Sequence, residues 1–159
     1  MISVRCAAEY DIPELVRLRL AYFEEEFGAL PDAQLNAIRA QLPQYFAAHL
    51  GRDCYCFAAE KADGEGLCAC AILCCQEKPA NPHFPGGKSG LVLGVYTEPA
   101  YRGQGCATRI MQQLLAEAKR LGLDLVTLSA SDMGRPIYEK LGFSVSRSKF
   151  TEMEITIEK

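Results

Sequence analysis

The stretch that decides the fold runs Leu91-Val92-Leu93-Gly94-Val95-Tyr96-Thr97, then Glu98-Pro99-Ala100-Tyr101, then Arg102-Gly103-Gln104-Gly105-Cys106-Ala107-Thr108. Its first seven residues form a strand pattern. From Ala107 onward Ile110, Met111, Leu114, Leu115, Ala118 and Leu121 recur at helical spacing until Gly122, which predicts an amphipathic helix with a glycine stop. The unit is therefore strand, glycine-rich turn, helix. Gly103 and Gly105 allow close backbone approach to a ligand and conformations that a β-carbon forbids. The helix that starts there presents unpaired N–H groups and the positive end of its dipole. Such a turn is an anion site, and a pyrophosphate suits it.

Two other phosphate-binding patterns fail on spacing. In a dinucleotide fingerprint G-x-G-x-x-G, Thr108 stands where the third glycine belongs, and the unit lies late in the chain. A Walker A loop needs Gly-Lys-Ser/Thr, which does not follow. A plain strand-to-helix turn that contains glycines is the remaining alternative.

Working outward, Val4–Ala7 reads as a short first strand. Asp11 with Glu14 reads as a capping box that opens a helix with apolar residues Ile12, Leu15, Val16, Tyr22, Phe23 and Phe27. Gly28 ends it. Pro31-Asp32 opens a second helical stretch to Leu50, bent or split at Pro43. Cys54–Glu60 and Leu67–Gln76 are strands buried on both faces, and Lys78–Gly90 is loop. Leu123–Leu128 is a strand, Met133–Leu141 a short helix capped by Gly142, and Phe143–Ser146 with Phe150–Ile157 are two closing strands. No repeat or linker interrupts residues 1–159, so one domain is expected.

The bulk properties narrow the function. A length of 159 residues suits one core, and a net charge of −3 argues against nucleic acid as the main partner. No apolar run spans a bilayer and the first residues do not read as a secretory signal, so no membrane association and a cytoplasmic location are expected. The eight cysteines show neither zinc-knuckle nor C-x-x-C spacing. They are expected to be reduced structural thiols with no metal, Cys68 and Cys70 sharing one strand face.

Arg102-x-x-Gly105-x-Ala107 resembles the Q/R-x-x-G-x-G/A signature of the GNAT superfamily of N-acetyltransferases. Val95-Tyr96-Thr97-Glu98-Pro99-Ala100-Tyr101 is similar to that family's strand into the turn, and Ile137-Tyr138-Glu139-Lys140-Leu141-Gly142-Phe143 to its Tyr-x-x-x-Gly-Phe segment. The element order agrees along nearly the whole chain. The resemblance implies a single-domain α/β fold, a mixed, mostly antiparallel sheet of about six to seven strands with helices on both faces. It implies acetyl-CoA as co-substrate. The pantetheine arm would lie between splayed fourth and fifth strands, bonded by the backbones of Val95, Tyr96 and Thr97. The pyrophosphate would be held by Arg102, Gly103, Gln104, Gly105, Cys106, Ala107 and Thr108. Ser131 stands where many relatives carry Asn, with less reach than an amide.

The implied reaction is direct attack of a neutral primary amine, from a small molecule or peptide, on the thioester. A strand N–H near Tyr96 would stabilise charge on the carbonyl oxygen, and Tyr138 would protonate the leaving thiolate. Cys106 is the competing nucleophile, but it sits at the pyrophosphate, far from the thioester. Glu77, Glu24, Glu25 and Glu26 are candidate bases, and none is singled out. Tyr22, Phe23, Tyr45, Phe46 and Phe84 are candidates to line the acceptor site. A homodimer is compatible with all of this. The alternative is an acyl-CoA-binding sensory or non-catalytic GNAT-like module.

Overall fold

The computed structural model describes residues 2–159. Along the chain lie β1 (Ser3–Cys6), α1 (Ile12–Phe27), α2 (Asp32–His49), β2 (Cys54–Glu60), β3 (Leu67–Glu77), β4 (Lys88–Thr97), α3 (Cys106–Arg120), β5 (Leu125–Thr127) and α4 (Arg135–Lys140). They form an α/β fold around one mixed sheet in the order β1-β2-β3-β4-β5. The first three junctions are antiparallel and the last is parallel. A parallel neighbour needs a crossover, and α3 supplies it.

Helices cover both faces, which is why β2 and β3 read as continuous apolar runs. On one face α3 sets Ile110, Met111, Leu114 and Ala118 against Val4, Phe57, Ala59, Ala69, Ala71, Leu73 and Val92. On the other, α1 and α2 set Leu15, Leu18, Leu42 and Phe46 against Cys54, Cys56, Ala58, Cys70, Ile72 and Tyr96. Pro43 lies inside α2 without dividing it. Among the described residues no helix is long and apolar enough to cross a membrane.

Among the described residues the sheet has five strands, not the six to seven expected. Phe143–Ser146 and Phe150–Ile157 form no ladder. Alternation makes a strand only where a neighbouring edge supplies hydrogen bonds and cover. β5 is three residues long and pairs with β4 alone, while Phe150, Met153 and Ile155 are 75%, 91% and 83% exposed. At the other end, β4 starts inside the expected loop, because Lys88, Ser89 and Gly90 pair with Glu77, Gln76 and Cys75.

Cys68 and Cys70 do not share a face. The β2–β3 register shifts after Ala59↔Ala69, so that Glu60 pairs with Leu67 and Cys68 has no opposite number. A bulge resets alternation. Cys68 therefore faces α3 while Cys70 faces α1 and α2.

The capping box is replaced by stronger bonds. The Asp11 carboxylate accepts from both Arg5 terminal nitrogens at 2.7 and 2.8 Å and from the Ala8 N–H at 2.7 Å. Glu14 instead accepts from Arg17 at 2.6 Å and from the Leu67 N–H at 2.9 Å. An arginine fork outcompetes a lone cap. Both carboxylates are thereby used to fix α1 against β1 and β3.

Candidate active site

The opening in the sheet begins where β5 leaves β4. Parallel pairing stops at Leu91↔Thr127, but β4 continues to Thr97, so among the described residues its outer edge from Val92 onward has no neighbouring strand. Within that stretch the pairing with β3 slips from Ile72↔Leu93 to Cys70↔Tyr96, a bulge at Gly94 and Val95. Gly94 takes φ +56°, a turn of the backbone that a β-carbon would strain. The Tyr96 ring is buried on the α1/α2 face and meets Tyr22 edge-on at 6.2 Å. Thr97 gives its carbonyl to Arg102 Nε at 2.9 Å.

A short 3-10 turn, Pro99–Tyr101, joins this edge to the glycine turn. Gly103 and Gly105 both take φ +78°, and Gly105 is the left-handed residue from which α3 starts. Arg109 N–H donates to the Gly105 carbonyl at 3.1 Å. No side chain caps α3, and among the described residues the N–H groups of Cys106, Ala107 and Thr108 have no partner. Gly103, Gln104 and Gly105 are exposed, with open space where either glycine's β-carbon would stand. Three free donors at the positive end of a fifteen-residue helix make this a place for an anion. The Cys106 thiol is not part of it: it is 3% exposed, lies 4.0 Å from the Tyr101 carbonyl and belongs to the core.

Arg102 is already engaged. Its Nη2 lies 2.8 and 2.7 Å from the two oxygens of Glu25 on α1, and its guanidinium carbon is 5.7 Å from the centre of the Tyr96 ring.

Tyr138 stands on α4, 9% exposed and edge-on to Phe143 at 6.0 Å. A β-carbon at Gly134 would come within 3.0 Å of its ring, so that glycine makes room for it. Burial first, then the neighbouring Tyr22 phenol, push the Tyr138 hydroxyl above its ordinary pKa of 10.0. It therefore keeps its proton at neutral pH. Ser131 accepts from the Gly134 N–H at 3.1 Å and so fastens the start of α4 beneath this ring. Tyr22 packs edge-on against Tyr96, and its phenol lies near enough to raise the Tyr138 hydroxyl further.

The α1/α2 side holds an open cavity of about 350 Å³ lined by Arg19, Phe23, Ala37, Ile38, Gln41 and Leu42. Of the expected lining, Phe23 borders it, whereas Phe46 is buried core and Tyr45 stacks on His49 with its hydroxyl 3.5 Å from Cys74 Sγ. Phe84 lies in the loop before β4 beneath Lys78. Glu24 and Glu26 are exposed, Glu25 is tied to Arg102, and Glu77 ends β3 beside a separate cavity with Lys88. These carboxylates are not gathered into a single base. Among the described residues no group of three or more His, Cys, Asp or Glu is disposed to hold a metal.

Sequence reasoning overlooked Arg19. Its signal was available: an arginine set among the inward residues Leu15, Leu18, Tyr22 and Phe23 of a helix.

Residues 52–145 match the model of the acetyltransferase (GNAT) domain. No curated protein matches the sequence. Among solved structures, the chain is similar to a predicted acetyltransferase of Clostridium acetobutylicum crystallised with acetyl-CoA. That likeness is at 30% identity and TM-score 0.81, over 97% of this chain and 96% of that one. A GCN5-related N-acetyltransferase of Ralstonia eutropha matches at 26% identity and TM-score 0.81, over 99% of each chain. Glucosamine-6-phosphate N-acetyltransferase of Arabidopsis thaliana shares the fold at 16% identity and TM-score 0.71, over 96% and 98% of the two chains.

Proposed function

Because this chain belongs to the GNAT acetyltransferase family, we propose that it transfers an acetyl group from acetyl-CoA to a primary amine of a small molecule or peptide. The observation that carries this reading is unsatisfied backbone at two places along one stretch of chain, the outer edge of β4 and the start of α3. The open edge beyond Leu91 is joined to the uncapped helix start through Pro99–Tyr101 and the glycine turn. An extended amide-bearing arm that ends in a pyrophosphate matches both parts: the edge bonds the arm and the helix end takes the phosphates. Val95, Tyr96 and Thr97 are the edge residues. The N–H groups at Cys106, Ala107 and Thr108 are the phosphate donors, with Gly103, Gln104 and Gly105 shaping the turn and Arg102 supplying a cation. Ser131 acts here by fixing the start of α4.

Acetyl-CoA supplies an activated acetyl thioester. A strand N–H near Tyr96, beside the bulge at Gly94 and Val95, stabilises the negative charge that develops on the carbonyl oxygen. Tyr138 holds a proton throughout the neutral range and gives it to the departing sulfur, and the proton that the nitrogen loses on becoming an amide restores the phenol. The acceptor enters from the α1/α2 side and must arrive, or become, uncharged. With no carboxylate gathered there, solvent water takes that proton.

The neighbours favour nitrogen as the accepting atom, since two of them carry N-acetyltransferase in their names. The test is release of free coenzyme A thiol from acetyl-CoA in the presence of a panel of amines. Amine-dependent release is expected. Tight coenzyme A binding with no release for any amine would instead establish a non-catalytic acyl-CoA-binding module.

A further inference from the structure

Arg19 is half-buried on α1, yet it takes part in none of the hydrogen bonds or ion pairs of the described residues. Arg39, Arg52 and Arg147 also lack an ion-pair partner, but they are exposed and solvated. Arg5, Arg17 and Arg109, half-buried like Arg19, are each bonded to a carboxylate or a carbonyl. Arg19 therefore holds a positive charge with no counter-ion among the described residues, at the wall of an open cavity where an incoming anion can pair with it.

Its surroundings fix where that anion would sit. The guanidinium carbon lies 4.7 Å from the centre of the Phe23 ring and 6.0 Å from that of Tyr22. Its Nη1 occupies the space of a missing side chain, 2.6 Å from where a β-carbon of Gly94 would stand. The charge is thus pressed against the bulge that precedes Val95 and Tyr96. It also lines the α1/α2 cavity, whose other walls are Phe23, Ala37, Ile38, Leu42 and the amide of Gln41. The thiols of Cys70 and Cys74 feel its charge, but burial keeps Cys70 neutral, with its pKa pushed up to about 12, and Cys74 is raised first by its hydrogen bond with Cys54 and then by burial.

We infer that Arg19 is the specificity determinant for the acceptor, which carries a carboxylate and an apolar body: an α-amino acid or a close derivative. This rests on the acetyl-transfer reading of the site. A carboxylate matches one planar fork bidentately, and one positive charge balances one negative charge. A phosphate dianion would need a second cation, and none lines this cavity. With the carboxylate on Arg19, a neighbouring amino group stands beside the β4 bulge, and aliphatic or aromatic substance rests on Ile38, Leu42 and Phe23.

The test uses binding as well as turnover. In saturating coenzyme A, N-acetyl-leucine should raise the melting temperature of the wild type, whereas N-acetyl-isopentylamine, which lacks only the carboxylate, should not. Arg19→Gln should bind N-acetyl-leucine at least tenfold more weakly while keeping its melting shift with coenzyme A alone, which shows that it folds and that its cofactor half is intact. Arg19→Lys should recover part of the affinity, because charge returns without the fork. In turnover, leucine should exceed isopentylamine in kcat/KM by tenfold or more, and Arg19→Gln should erase the difference through KM. Equal binding of the two acetylated ligands, or an unchanged preference in Arg19→Gln, overturns the assignment. So does tighter binding of a phosphate-bearing analogue, O-phosphoethanolamine N-acetylated. If no amine is acetylated but the carboxylate-dependent shift appears and needs Arg19, the transferase reading fails while the carboxylate site stands.

Discussion

The two sides of the groove are made differently. The cofactor side, from Val95 to Thr108, is built from main chain: an open strand edge, two left-handed glycines and unpaired N–H groups at the start of α3. The acceptor side is built from side chains on α1 and α2, with Arg19, Phe23, Gln41 and Leu42 around the cavity. A backbone site binds what every member of a fold must bind, and its sequence requirement is mostly the absence of a side chain. A side-chain site can be rewritten residue by residue without disturbing the sheet. The cofactor side should therefore respond to changes of shape and the acceptor side to changes of chemistry.

The largest expected effect is at Tyr138, where one hydroxyl on an otherwise packed ring does chemistry for both sides. Tyr138→Phe is predicted to lower turnover by roughly ten- to a thousandfold, in keeping with the ~10²-fold or greater contribution of general acids. Coenzyme A affinity should stay within a few-fold, because the ring and its contact with Phe143 survive. Because the hydroxyl is shifted upward from 10.0, its deprotonation cannot limit the rate in the neutral range. The rate should rise with pH as the acceptor loses its proton and decline only on the alkaline side of that value. Stopped-assay turnover at saturating acetyl-CoA reads both; unchanged turnover in the phenylalanine variant removes Tyr138 from the chemistry.

The next effect is on stability, and it belongs to the acceptor side. α1 leaves β1 through the Asp11–Arg5 fork, in which Asp11 is 6% exposed and Arg5 27%. Asp11→Asn should cost about 2 kcal/mol at neutral pH, allowing for the partial solvation of Arg5. Arg5 holds the Asp11 carboxyl below its ordinary range. A depressed folded-state value means that the stabilisation is complete above the unfolded-state pKa and is lost as pH falls through the folded one. The gap between wild type and variant in urea unfolding should therefore be full at pH 7 and close on acidification below about pH 4. A gap that persists unchanged at pH 2 would mean that the loss comes from packing rather than from the charge.

How much of this was legible in the sequence follows the same division. Glycines and helical spacing announce a backbone site directly, so the turn and α3 were readable, as were the limits of β2 to the residue. The closing strands were not, because alternation in Met153, Ile155 and Ile157 says which side chains would share a face but not whether an edge is there to receive them. The bulge at Cys68 was hidden for a related reason: register slips are decided by pairing between strands, not by the pattern within one. Arg19 gains its meaning only beside Gly94, and the two are brought together by the packing of α1 on β4.

Shape should dominate at Gly105. Its φ of +78° is a conformation that valine resists, and the space where a β-carbon would project is open in the free protein. Gly105→Val is predicted to weaken coenzyme A binding by at least tenfold, about 1.4 kcal/mol. The two contributions separate in thermal melts. Backbone strain lowers the melting temperature of the empty variant, whereas a lost phosphate site shrinks the rise on adding coenzyme A. At a hundred times the dissociation constant that rise corresponds to about 2.7 kcal/mol in the wild type. NADH should move neither protein. A variant that keeps the full rise would show that the turn does not hold the phosphates.

The smallest effect is at an exposed ion pair that joins the two sides, Arg102 to Glu25. The Arg102 side chain is 40% exposed and that of Glu25 46%, so the pair contributes on the order of 0.2–1 kcal/mol. If the Arg102 guanidinium serves a phosphate, Glu25 competes with that phosphate for the same donors and adds a like charge beside it. Glu25→Gln should then tighten coenzyme A binding by about two- to fivefold in low salt, the fold-change equivalent of 0.4–1 kcal/mol. Raising the ionic strength to about 1 M shortens the Debye length to about 3 Å, so the difference between variant and wild type should vanish there. Weaker binding in the variant would show the opposite relation, with Glu25 holding Arg102 in place for its ligand. The acceptor side would then help to build the cofactor site, and the division between main-chain and side-chain halves would fail at this point.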